Sequence, residues 1–93
     1  MTDVTAASLP KKADLMKAAE VNPSRKKLGK ALYTWFDLHQ RWSAARKASN
    51  HELRRRLEGE RGAAILALRA EADLAGLSVE KIVEAVMAEY GNR

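Results

Sequence analysis

Three features of this 93-residue sequence predict an all-α fold. Ala, Leu, Glu, Lys and Arg dominate, against two prolines, five glycines and hardly any β-branched runs, a composition that favours helix nearly throughout. Apolar residues recur at steps of three and four, as a buried helix face requires. Capping signals punctuate those stretches. The expected architecture is a small helical hairpin or bundle of about three main helices, with residues 1–21 as a flexible N-terminal arm and residues 22–93 as the helical domain.

Residues 1–10, MTDVTAASLP, are small and polar without periodicity and read as a tail. From Lys11 to Val21 a helical turn or two is conceivable, with Leu15, Met16 and Ala19 on one side. Isolated helices that short are marginal, so a loosely attached arm is expected, or a segment that folds on a partner. Asn22 followed by Pro23 predicts the start of the first main helix, Asn capping free N–H groups and Pro lacking one to satisfy. Its apolar positions Leu28, Ala31, Trp35, Leu38, Trp42 and Ala45 form one stripe, widened by Leu32 and Phe36.

Two boundaries compete for the end of that helix. Ser49, Asn50, His51 and Glu52 match a capping box, in which Ser covers the third helical N–H and Glu reaches back. Alternatively Gly59 and Gly62, each lowering helix propensity by about 1 kcal/mol relative to Ala, let the first helix run to Leu57. A capping box is a positive signal, so the break is expected near Ser49. Residues 63–75 are apolar on several sides around Ile65, Leu68, Ala72 and Ala75, predicting the most buried helix. Gly76 supplies a left-handed C-cap, Leu77 folds back onto the helix end, and Ser78 caps a final helix carrying Val79, Ile82, Val83, Val86 and Tyr90, closed by Gly91.

Residues 68–87, LRAEADLAGLSVEKIVEAVM, resemble the helix-turn-helix motif of bacterial and phage repressors, with Ala72, Gly76, Leu77 and Ile82 in the expected slots. The resemblance covers about a fifth of the chain. It implies a tight helical corner, with Val79, Glu80, Val83 and Glu84 facing outward, two of them acidic where DNA readers place donors or cations.

Cysteine is absent, which excludes a disulfide scaffold, thiol catalysis and thiolate metal sites. His39 and His51 lie twelve residues apart without carboxylates at ligand spacing, so no metal, cofactor or small-molecule substrate is expected, and each His is assigned a capping or surface role. No recognisable catalytic constellation is present, and the protein reads as non-enzymatic. No stretch is apolar enough for a membrane span and the first twenty residues lack signal-peptide order, so a cytoplasmic location is expected.

Charge is distributed unevenly. The net +5 comprises a neutral stretch over residues 1–20, +8 over 21–56 and −3 over 57–93. The basic segment holds Arg25, Lys26, Lys27, Lys30, Arg41, Arg46, Lys47, Arg54, Arg55 and Arg56. Such residues neutralise phosphates, arginine adding planar bidentate contacts. Arg25, Lys26 and Lys27 sit in a helix first turn, where the dipole disfavours cations, so a role outside helix stability is indicated. Tyr33 and Phe36 are the candidate exposed aromatics beside them, with Trp35 and Trp42 assigned to the core stripe. The expected function is a nucleic-acid-associated accessory or regulatory protein; the alternative is an adaptor or inhibitor, of the phage or bacterial kind, whose basic face docks on an acidic protein. Seventeen of the apolar residues are alanines, and a core this thin seldom holds more than about 3 to 5 kcal/mol, so a homodimer or partner-bound state is expected.

Overall fold

The computed structural model describes residues 10–91. Four helices and no strand occur among them: α1 (Lys12–Ala18), α2 (Lys26–Lys47), α3 (His51–Leu74) and α4 (Val79–Tyr90). Helices α2 and α3 form an antiparallel hairpin, and α1 and α4 pack around its open end and against each other. The fold is all-α as expected, with one helix more than the sequence suggested.

The extra helix is α1, and it corrects the placement of residues 11–21 in a loose arm. The Asp14 carboxylate accepts a hydrogen bond from the Lys11 backbone N–H at 3.0 Å, and Leu15, Met16 and Val21 are buried in the main core. Tertiary burial supplies what a seven-residue helix lacks on its own. Residues 1–9 lie outside the described residues. Asn22 and Pro23 make a turn rather than the helix start: Asn22 Oδ1 accepts from the Ser24 N–H at 2.9 Å, and α2 begins three residues beyond Pro23 at Lys26. The Asn side chain spends its oxygen on this local turn, so Arg25 becomes an N-cap without a side-chain hydrogen bond.

Helices α1, α2 and α3 end in the same way. In each, the second residue past the C-cap returns its N–H to the carbonyl three residues before the C-cap: Val21 to Met16 at 2.8 Å, Asn50 to Ala45 at 2.9 Å, Leu77 to Ala72 at 2.8 Å. The intervening residue takes a left-handed conformation, Glu20 and Ser49 at φ 58° and Gly76 at φ 73°. This is the Schellman arrangement, usually filled by glycine. The break therefore falls at residues 48–50 as expected. Asn50 rather than Ser49 caps α3, accepting from the Leu53 N–H at 3.2 Å, because Ser49 is committed to ending α2. Ser78 caps α4 through the Lys81 N–H at 3.3 Å.

The main core sits at the open end of the hairpin, where Leu28, Leu32 and Phe36 of α2 meet Leu68 and Ala72 of α3, Leu15 and Met16 of α1, and Val79, Ile82 and Val86 of α4. Close approach of α1 uses Gly29, where a Cβ would collide with the Met16 sulfur. Contrary to expectation α3 is not the most buried helix: its outer side leaves Leu66 and Leu74 at 66% and 80% exposure. Alanines crowd that face of the sequence, and an apolar composition all round does not create neighbours all round.

Candidate binding surface at the hairpin tip

Beyond the core the hairpin continues as two helices alone. From Arg41 to Leu57 only Ala45 and Leu57 are buried. This projection carries Arg41, Arg46, Lys47, Arg54, Arg55 and Arg56 against a single acid, Glu52. Intrahelical pairs occupy two of the cations: Arg41 with Asp37 at 3.3 Å and Arg54 with Glu58 at 3.0 Å. Lys47, Arg55 and Arg56 are exposed and form no ion pair among the described residues. Arg46 and Lys47 lie in the last turn of α2, where the dipole favours cations. Beside them an open groove of about 580 Å³ has Ala44, Ala45, Ala48, Leu53 and Leu57 along its floor, with Arg41, Arg56 and Glu60 at its edges.

The ten sequence-assigned cations do not form one patch. Arg25, Lys26, Lys27 and Lys30 stand at the opposite end of α2, whose 22 residues span about 33 Å. Lys27 and Lys30 line a shallow groove there with Glu71. Sequence adjacency groups these cations with the others; the long straight helix separates them.

Between core and tip lies a layer of rings and guanidinium groups that sequence reasoning missed. His39 stacks on Trp35 with centroids 5.3 Å apart and meets Trp42 at 5.7 Å. Arg61 reaches across from α3, its guanidinium carbon 3.9 Å from the Trp42 ring centroid and its nitrogen 3.0 Å from His39 Nδ1. Arg46 lies at 5.3 Å from the same ring. Because arginine only donates, Nδ1 accepts and the neutral imidazole carries its proton on Nε2. Burial first, and the Arg61 charge second, hold the His39 pKa below its ordinary 6.5. His39 is thus a half-buried packing residue rather than a cap or surface group, while His51, the first residue of α3, is exposed. Trp42 Nε1 is buried with no hydrogen-bond partner among the described residues. The spacing of Trp35, His39 and Trp42 on one helix stripe was the available signal; Arg61, 22 residues from His39, carried none.

Of the two candidate exposed aromatics, Tyr33 is 40% accessible and Phe36 only 2%. Phe36 is therefore corrected to core. It turns toward α4, where the Tyr90 ring meets it edge-on at 6.2 Å.

At the corner between α3 and α4, Ala72 and Ile82 are buried and Gly76 makes the turn. Val79, placed outward by the repressor-like alignment, is buried, since the first turn of α4 lies against the core. Glu80 and Glu84 face solvent. Glu80 bonds Arg69 at 3.1 Å and accepts from the Ser78 hydroxyl at 3.2 Å. Its carboxyl is held below the ordinary value first by its own backbone N–H, then by Arg69 and Ser78. This outer face is acidic and cross-linked.

Among the described residues no group of three or more His, Cys, Asp or Glu is placed to hold a metal ion, and no helix is long and apolar enough to cross a membrane. No protein-family model, curated protein or solved structure matches the chain.

Proposed function

We propose that the chain is a small non-enzymatic binding protein whose hairpin tip engages the phosphate backbone of nucleic acid. One observation carries this reading: six cations against one acid on a two-helix projection that the core does not need. Lys47 and Arg55 are exposed there without ion pairs, and Arg46 adds a third cation above Trp42. Contacts to phosphate weaken steeply with salt, because each releases condensed counterions. The acidic outer side of α4 faces away from such a role.

Fluorescence anisotropy with labelled duplex and single-stranded oligonucleotides, between about 50 and about 200 mM salt, tests it. Replacing Arg46, Lys47 and Arg55 together by Gln is expected to weaken binding to all sequences alike and to reduce the salt slope by about two to three units. Absence of binding at the lowest salt rejects the reading.

The apolar floor of the tip groove, with Arg41 and Arg56 at its edges, favours a second reading: an adaptor or inhibitor that takes an acidic, partly apolar protein surface. Phosphate has no use for Ala44, Ala48 and Leu53. Replacing Leu53 by Asn separates the two, weakening a protein partner while leaving nucleic-acid affinity unchanged.

A further inference from the structure

We propose that the outer face of α3 binds a second copy of the chain as an antiparallel, two-fold helix pair. Arg56, Gly59, Ala63, Leu66, Ala70 and Asp73 follow one another on α3 at steps of three, four, three, four and three, and all six are exposed. Such spacing keeps them on one seam. It lies opposite the buried side defined by Leu57, Leu68 and Ala72.

The order of residues selects the partner and its direction. When the seam is laid against itself antiparallel about the point between residues 64 and 65, Arg56 meets the partner's Asp73, Gly59 meets the partner's Ala70, and Ala63 meets the partner's Leu66. Each contact occurs twice, as a two-fold interface requires. The charges are complementary in this direction alone; a parallel pairing in register sets Arg56 on Arg56 and Asp73 on Asp73. Neither Arg56 nor Asp73 forms an ion pair among the described residues. Two small residues meet at the Gly59–Ala70 layers and a small residue faces Leu66 at the central layers, so the axes approach closely. Gly59 has open space where its Cβ would stand, and nothing within the chain uses that room. Leu66, the central residue of the seam, is 66% exposed and gains most from cover. Apart from Arg56, which also stands at the edge of the tip groove, the seam shares no residue with the tip surface. It places the two basic tips at opposite ends of the pair, about 40 Å apart along the α3 axes.

The absence of cysteine makes the geometry directly testable. Analytical ultracentrifugation of the full chain is expected to show a species of twice the 10.3 kDa chain mass, and Leu66→Glu is expected to weaken it at least about tenfold, with unchanged circular dichroism, because that side chain is already mostly exposed. Single changes Arg56→Asp and Asp73→Arg each weaken association, and the double change restores it. Under mild oxidation an equimolar mixture of Ala63→Cys and Leu66→Cys chains cross-links. Leu74→Cys alone does not, since its two copies stand 19 residues apart along the seam, about 28 Å. A monomer at all concentrations, a dimer indifferent to Leu66→Glu, or self-cross-linking at Leu74→Cys each overturns the proposal; the last indicates a parallel pair.

Discussion

The two ends of the α2–α3 hairpin are built from the same helices yet differ in what holds them. At the open end four helices share one core, and side chains such as Leu15, Leu32, Leu68 and Val86 are completely covered. At the tip two helices cover little beyond Ala45 and Leu57, and cations replace the missing neighbours. Folding free energy is therefore concentrated at one end, while the tip carries six cations against one acid. With so few large apolar residues, the hairpin gains little burial from extending past its core.

The contrast breaks most visibly under truncation of core side chains. Leu68→Ala at the open end is expected to cost about 2 to 5 kcal/mol, comparable to the whole stability of a core this size, and urea unfolding should find the variant largely unfolded. Leu53→Ala at the tip removes the same atoms from a half-buried position. It should cost no more than about 1 kcal/mol, below the range for buried leucines. Equal losses at both positions would mean that the tip is part of the core.

The ring layer marks the boundary between these ends and titrates. Arg61→Met takes away a guanidinium packed on Trp42 and the donor to His39, with an expected loss of about 1 to 3 kcal/mol. The His39 pKa should rise in that variant, followed by NMR of its ring protons, yet stay below 6.5 because burial is the larger cause. In the unaltered chain the folded state holds the His39 proton less well than the unfolded state does. The contribution of His39 is thus fully present above pH 6.5 and is lost as pH falls through the lower, folded-state value. Melting curves across that window, compared with those of His39→Gln, should show a steeper decline for the unaltered chain; parallel curves would remove His39 from the account.

Helix ends explain which parts of the fold were legible in the sequence. Gly76 announces the end of α3, because glycine alone takes a left-handed conformation without penalty, and the α3–α4 corner follows from it. Glu20 and Ser49 do the same work at φ 58° without the same signal. For that reason the sequence offers no more than a helical turn or two over Lys11–Val21, and it presents Ser49 as the cap of the next helix instead of the terminator of the last. The basic segment was legible as composition, but its division between two ends of α2 depended on an unbroken 22-residue helix. Arg61 and the exposed side of α3 could not be read at all, since partners far along the chain decide both. If this account is right, Ser49→Gly should raise stability by up to about 1 kcal/mol through relief of the left-handed strain, and Gly76→Ala should lower it by about as much. A destabilised Ser49→Gly would locate the strain elsewhere.

The smallest expected effect separates the two cationic groups from each other. Arg25 is the N-cap of α2, with Lys26 and Lys27 the first two helical residues and no acid in that turn. Converting all three to Gln relieves an unfavourable dipole interaction of about 0.3 to 1 kcal/mol per well-placed charge. The melting temperature should hold or rise slightly. At the tip the sign reverses: Lys47 lies in the last turn of the same helix, where Gln removes a favourable interaction. If phosphate binding resides at the tip, the change at residues 25–27 leaves affinity within a few-fold, as does Lys81→Gln on α4, whereas the Arg46, Lys47 and Arg55 replacement weakens it and flattens its salt dependence. Loss of binding on neutralising Arg25, Lys26 and Lys27 would move the working surface to the open end of the hairpin. Loss on replacing Glu80 and Glu84 alone would move it to α4, where cation rather than phosphate recognition would have to be argued.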